Sequence, residues 1–165
     1  MPARHYIHGC PRNGMGIAIR TFQDPDFNAI VGLEQGEKRN RYGACVFVRQ
    51  SAVLYPQTFL VAVHNGTAVG YAIGAVVQDD TTSAWVIRLS VGQPYQGQGT
   101  GTALISRLIA ELAARKVQNI LLSVAPGNIP AHKIYGQIGF VKVAQKSGYF
   151  CESEDRDIMR YVVNG

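Results

Sequence analysis

Between Gln96 and Thr102 the chain reads Gln-Gly-Gln-Gly-Thr-Gly-Thr, and here residue type and spacing first point to chemistry. Gly97, Gly99 and Gly101 stand at alternate positions, so no β-carbons shield the backbone around Gln98 and Thr100. Several N–H groups can then converge on one anion where a helix begins, an arrangement suited to a pyrophosphate. A turn that merely packs a strand closely onto a helix is the competing explanation for the same glycines. Two familiar phosphate motifs fail on spacing. A dinucleotide fingerprint starting at Gly97 needs glycine where Thr102 stands, and a Walker A loop needs a closing Gly-Lys-Ser/Thr that is absent. What remains is Gln-x-x-Gly-x-Gly, from Gln96 to Gly101.

A second cluster lies at residues 128–140. Asn128 suits a helix N-cap, Pro130 the first turn, and Gly139 a left-handed residue after the last turn. Ala131, Ile134, Tyr135 and Ile138 repeat at i, i+3, i+4 and i+7, which puts Tyr135 on the apolar face of a short helix. A phenol there is either a core tyrosine or a proton donor.

The elements that must position these clusters follow from hydrophobic period and turn chemistry. Residues 84–91 alternate as a strand feeding the glycine loop, with Trp85, Ile87, Leu89 and Val91 on one face. After the loop, Leu104, Leu108 and Leu112 form one helical row with Ile105, Ile109 and Ala113 beside it, and Glu111 and Arg115 pair on the wet side. Residues 120–125 form a short apolar run, as expected for a strand buried on both faces and parallel to the one before the helix. Upstream, residues 58–63 and 68–77 flank Asn65-Gly66, the signature of a type I′ hairpin. A polar turn at 78–83 carries Asp79 and Asp80. A first strand is expected over residues 15–21. A helix capped by Asp24-Pro25-Asp26 then runs through Ile30, Leu33 and Glu34 to a stop at Gly36. A charged loop at 37–41 and a second helix over 44–54 follow, the two helices walling a substrate site. Two strands, 140–146 and 157–163, close the chain around an acidic loop holding Glu152, Glu154 and Asp155. Residues 1–14, with His5 and His8, read as a mobile arm ahead of a single domain over 15–165.

Composition bounds the function classes. At 165 residues and 47% apolar content, one domain with a full core is expected. The net charge of +5 is scattered, with no basic tract interleaved with aromatics, so nucleic-acid binding is not expected. Cys10, Cys45 and Cys151 lack metal-site spacing and read as reduced thiols; no metal is expected. With no apolar run of spanning length and no apolar leader, a cytoplasmic protein without membrane contact follows, as monomer or homodimer.

Gln96-x-x-Gly99-x-Gly101, followed past a helix and a buried strand by Asn128-x-x-Ala131-x-x-x-Tyr135-x-x-x-Gly139-Phe140, resembles the GNAT superfamily of acyl-CoA-dependent N-acetyltransferases. The order of elements resembles it too. The fold implied is a mixed α/β (α+β) one: a central six- or seven-stranded sheet, about four flanking helices, and a cofactor cleft between the fourth and fifth strands. The resemblance implies acetyl-CoA as co-substrate. Gln96, Gly97, Gln98, Gly99, Thr100, Gly101 and Thr102 would hold its pyrophosphate, Leu89, Ser90 and Val91 would line its pantetheine arm, and Asn128 and Tyr135 would contact the arm. It implies direct attack of a primary amine on the thioester, with Tyr135 as the acid that protonates the departing thiolate.

The end of the chain is similar to the branch that acetylates the N-terminal alanine of a ribosomal protein, through Gly148-Tyr149-Phe150 and Asp157-Ile158-Met159. That branch carries a glutamate base where this chain has Ser123. At pH 7 an α-amine with pKa near 8 is roughly one-tenth neutral, whereas lysine is neutral in only about one molecule in 2,500. A weakly basic amine could lose its proton to water held by Ser123; lysine would need a stronger base, for which Glu34, His64 and Glu154 are the candidates. The acceptor is thus expected to be a peptide N-terminus or a small amine, recruited by the acidic loop if that loop is more than a solvated hairpin tip. A non-catalytic acyl-CoA-binding module is the alternative.

Overall fold

The computed structural model describes residues 16–35 and 40–163. The arm expected over 1–14, the strand start at Met15, the helix stop at Gly36 and most of the charged loop at 37–41 lie outside the described residues. Among the described residues the chain forms one seven-stranded sheet, ordered β1-β2-β3-β4-β5-β7-β6, and four α-helices. The strands are β1 (Ala18–Thr21), β2 (Phe59–His64), β3 (Thr67–Val76), β4 (Ser83–Val91), β5 (Asn119–Val124), β6 (Val141–Lys146) and β7 (Arg156–Val162). The helices are α1 (Phe27–Gln35), α2 (Arg41–Leu54), α3 (Thr100–Ala113) and α4 (Ile129–Ile138). Every pairing is antiparallel except β4 with β5. No described helix is long and apolar enough to cross a membrane.

Local sequence explains most of the boundaries. Asn65 (φ 48°) and Gly66 (φ 79°) both occupy the left-handed region, as a type I′ turn requires, and join β2 to β3 in the expected hairpin. Helix α2 begins at Arg41, three residues before the apolar run at Ala44, because the Asn40 side chain accepts a hydrogen bond from the Gly43 amide at 2.9 Å. Asp26, nearly buried, accepts from both Arg20 terminal nitrogens (2.7 and 2.9 Å) and from the Gln23 amide (2.8 Å), which fixes the chain's entry into α1.

The sheet is covered on both faces. On one, Ile30 and Val31 of α1 and Ala44 and Val48 of α2 pack on Phe59, Val61, Tyr71 and Ile73. On the other, Leu104, Ile105, Leu108 and Leu112 of α3 are fully buried on Leu60, Ala62, Ala72 and Ile120, with Tyr135 of α4 beside them. Burying each such aliphatic side chain is worth about 1.5–3 kcal/mol, so α3 is held by its apolar row far more than by its surface ion pairs, which join Glu111 to Arg107 at 2.8 Å and to Arg115 at 3.2 Å. Gly74 lets α3 approach, since a β-carbon there would meet Leu108 at 3.0 Å.

Two expectations about the strands are corrected. In β4 the alternation is not continuous: Ile73 pairs with Arg88 but Gly74 pairs with Val86, so Ile87 is an extra, bulged residue. The bulge turns the strand over, and Ala84, Val86, Leu89 and Val91 pack on the α3 face, whereas Trp85 and Ile87 do not share a face with Leu89 and Val91. Strand β5 is buried on one side only. Ile120, Leu122 and Val124 point into the α3 and α4 layer, while Leu121 and Ser123 are half-buried on the other side.

Candidate functional site

The site opens where β4 and β5 separate. Their pairing covers Ser83 with Asn119, Ala84 with Ile120 and Trp85 with Leu121, and then stops. Beyond Trp85, β4 still pairs with β3 through Val91, and β5 with β7 through Val124, so two strand edges face each other with no described strand between them. The bulge at Ile87 falls at the start of this divergence and re-aims the strand. A cleft of about 300 Å³ results, walled by Val86, Ile87, Arg88 and Leu89 on one side and by Leu122, Ser123, Val124, Ala125, Asn128, Ala131 and Tyr135 on the other, and lined also by Phe150 and Arg156.

At the far end of β4, after a 3-10 turn at Gln93–Tyr95, the glycine loop leads into α3. Gly97 (φ 70°) and Gly99 (φ 84°) hold left-handed conformations, and Gly99 is the N-cap of the helix. A β-carbon added at either would meet nothing within 4 Å, so both face open space rather than a neighbouring element. The alternative explanation of these two glycines as packing residues is thereby removed. Gly101 differs, since its β-carbon would sit 3.8 Å from Val91 and 4.0 Å from Leu89. The first-turn amides of α3, including those of Gly101 and Thr102, have no acceptor four residues upstream inside the helix. Thr100 is buried, and its Oγ1 has no hydrogen-bond partner among the described residues. Both glutamines brace the loop through their side chains: Gln96 Nε2 donates to the Val91 carbonyl at 2.8 Å and Gln98 Nε2 to the Pro94 carbonyl at 2.9 Å. A loop open outward at a helix N-terminus, whose first-turn amides have no intrahelical acceptor, fits a pyrophosphate.

Helix α4 brings Asn128 and Tyr135 to the cleft. Asn128 caps it, its Oδ1 accepting from the Ala131 amide at 3.2 Å, and Gly139 (φ 113°) ends it as expected. Asp157 of β7 anchors the helix from outside the cleft, 3.4 Å from His132 and 2.6 Å from Lys142. Tyr135 is 8% exposed, packs its ring 5.7 Å from that of Phe140, and has no hydrogen-bond partner for its hydroxyl among the described residues. Burial alone pushes its pKa up to about 12, which keeps the phenol protonated across the physiological range.

Ser123, Arg88 and Arg156 share the opposite face of the sheet. Arg88 and Ser90 sit across from Ile73 and Tyr71, whose side chains lie in the α1 and α2 layer. Arg156 precedes Asp157, which points to α4, and therefore projects the other way. The candidate bases are all committed elsewhere. Glu34 accepts from the Tyr71 hydroxyl and lies 2.8 Å from Arg88; burial and that carboxylate push the Tyr71 pKa upward. His64 contacts Tyr95 at 3.4 Å outside the cleft, and Glu154 accepts from Arg156 at 2.8 Å. In the acidic loop, Asp155 accepts from the Gly148 amide at 3.0 Å. The two arginines were not singled out by sequence reasoning; Arg88 was signalled only as a charge inside an otherwise apolar strand, between Ile87 and Leu89.

Comparison with known proteins agrees with this geometry. Residues 19–140 match the Acetyltransferase (GNAT) family. The ribosomal protein bS18-alanine N-acetyltransferase of Escherichia coli is 33% identical over 139 residues, 84% of this chain and 90% of that one. An uncharacterised N-acetyltransferase of Methanocaldococcus jannaschii is 28% identical over 87% of this chain and 90% of its own length. Among solved structures, Ard1 from Thermoplasma volcanium superposes with a TM-score of 0.80 at 22% identity, covering 90% of this chain and 99% of its own. The E. coli ribosomal-protein-S18-alanine N-acetyltransferase gives 0.76 at 26% identity, over 90% and 95%. With residues 19–140 matched, with the splayed β4–β5 pair and the capped helix of Tyr135 walling one cleft, and with the open glycine loop following β4, the chain belongs to the acetyltransferase (GNAT) family and is an N-acetyltransferase.

Proposed function

We propose that this enzyme transfers acetyl from acetyl-CoA to an α-amine, a peptide N-terminus in the first instance, in the cytoplasm. The observation that carries this reading is the hydroxyl of Tyr135, without a partner among the described residues, in the wall of a cleft flanked by β4, the strand that leads into the glycine loop. Acetyl-CoA, when bound, supplies an activated thioester. The amides of residues 97–102 hold its pyrophosphate, and Gln96 and Gln98 keep that loop in shape through their side chains. The unpaired edge of β4 at Leu89, Ser90 and Val91 offers backbone groups to the pantetheine arm, as an added strand would use them. Asn128, at the start of α4, contacts the arm from the opposite wall.

Tyr135 holds a proton at its Oη for the sulfur that leaves. Ser123 orients water rather than acting as a base, because a serine hydroxyl has no useful basicity near pH 7. Among the described residues no carboxylate lines the cleft, and the two guanidiniums that do are each paired with a carboxylate at 2.8 Å, so the acceptor gives up its proton to water as it enters. An amine of pKa near 8 tolerates this at a cost of about 1.4 kcal/mol at pH 7, and a lysine at about 4.6 kcal/mol. The E. coli relative named for the alanine terminus of bS18 supports the same choice.

Titration calorimetry with acetyl-CoA, followed by CoA release over a panel of peptide N-termini, lysine-only peptides with blocked termini and small amines, tests the reading. Binding with turnover on free α-amines is expected. Turnover confined to blocked, lysine-bearing peptides would overturn the acceptor assignment, and absence of any CoA binding would overturn the site.

A further inference from the structure

Every charged side chain that lines the cleft, among the described residues, is positive. Arg88 enters from β4 and Arg156 from β7, on the same face of the sheet as Ser123, while Tyr135 reaches in from the α4 side. Each guanidinium is held by a carboxylate that does not line the cleft. Glu34 lies 2.8 Å from Arg88 Nη2 and Glu154 2.8 Å from Arg156 Nη2. Each also stacks over an aromatic ring, Phe47 at 5.1 Å for Arg88 and Phe150 at 5.0 Å for Arg156. Nε of Arg156 is buried and has no acceptor among the described residues.

Two arginines fixed this way have already given up their rotamer freedom, so a ligand that accepts from them gains the hydrogen bonds without that entropy cost. The group that fits a rigid guanidinium fork is a planar oxyanion. The glycine loop lies further along the chain, past Val91 and the turn at Gln93–Tyr95, and none of its residues lines the cleft with the two arginines, so the co-substrate's phosphates are assigned elsewhere. We propose that Arg88 and Arg156 bind a carboxylate carried by the acceptor, so that the preferred substrate is a primary amine with a carboxylate close to it. This rests on the acetyl-transfer reading above and specifies its acceptor. The carboxylate comes either from an acidic side chain near a peptide N-terminus or from the carboxyl group of a free amino acid.

Matched acceptors separate these sources and test the idea: a peptide with Asp at its second residue against the Asn version, and free amino acids against their amides. In at least one pair kcat/KM should favour the acidic member about tenfold or more, mainly through KM, since a charge-assisted hydrogen bond sets that scale. The preference should fall toward unity in Arg88→Gln and in Arg156→Gln, return in part in Arg156→Lys, and weaken in the unsubstituted enzyme as potassium chloride rises. Acetyl-CoA calorimetry on each variant verifies the fold independently. Equal or reversed kcat/KM in both pairs, or a preference that survives both Gln substitutions and high salt, overturns the carboxylate site while leaving acetyl transfer standing. Failure to bind acetyl-CoA, or to acetylate any amine, overturns the acetyl-transfer reading and this inference with it.

Discussion

Replacing Tyr135 by Phe removes one hydroxyl from the cleft wall and leaves the ring that packs on Phe140. That hydroxyl has no partner among the described residues, so its loss breaks no hydrogen bond and should change stability by no more than about 0.5 kcal/mol. The catalytic effect is set by the departing sulfur. With the phenol raised to about 12 and an ordinary thiol near 8.5, complete proton transfer is uphill by roughly 3.5 pK units, close to 5 kcal/mol. The hydroxyl therefore acts chiefly as a hydrogen-bond donor to developing charge, worth about 1.5–3 kcal/mol, and Tyr135→Phe should lower kcat about 10- to 150-fold. Steady-state CoA release gives kcat, and calorimetry should show acetyl-CoA affinity within a few-fold of the parent. The raised pKa has a second consequence. Tyr135 stays neutral well above pH 10, so kcat should show no falling limb from this residue up to that pH. Since the folded pKa lies above the unfolded value, the stability contribution is full below pH 10 and is lost between pH 10 and about 12; Phe removes that part of the alkaline loss. An unchanged kcat, or an effect confined to KM, would refute the assignment, and a falling limb at pH 9 to 10 that vanishes in the Phe variant would refute the burial argument.

Gly99→Ala forces a left-handed alanine at φ 84° and puts a methyl group into the open cradle. Stability should drop by about 1 kcal/mol in thermal denaturation, while acetyl-CoA affinity falls at least about tenfold. Asp26→Asn removes the charge that two Arg20 nitrogens share and should cost about 2–3 kcal/mol in urea unfolding, with acetyl-CoA affinity intact. Gly74→Val would drive side-chain atoms into Leu108 and Leu112, and an overpacking loss of about 1–3 kcal/mol is expected by the same measurement. Ser123→Glu supplies a base in the cleft, so kcat/KM below pH 8 should rise and its pH dependence flatten; an unaltered profile would show that Ser123 does not face the acceptor's proton.

The glycine spacing at 97–101, the Asn128-to-Gly139 helix and the Asn65-Gly66 hairpin were legible because each is a local rule. A left-handed residue, a cap or a type I′ turn is decided within a few residues of itself, and each appears where the sequence places it. The strand–loop–helix–strand order was legible for the same reason, since periodicity reports which side of an element is buried. What the sequence left undecided depends on contacts between residues far apart in the chain. The bulge at Ile87 belongs to the register with β3 and reverses the face of Trp85 relative to Leu89, which no alternation pattern within β4 reveals. The parting of β4 from β5 after Trp85 is a property of the sheet and not of either strand. That the Tyr135 ring is buried while the residue lines the cleft depends on how α4 packs against the sheet, and its role as proton donor is the proposal that Tyr135→Phe tests. The charge of the cleft was decided last and only in three dimensions, because Glu34 and Glu154 turn to hold Arg88 and Arg156 while the arginines themselves face inward.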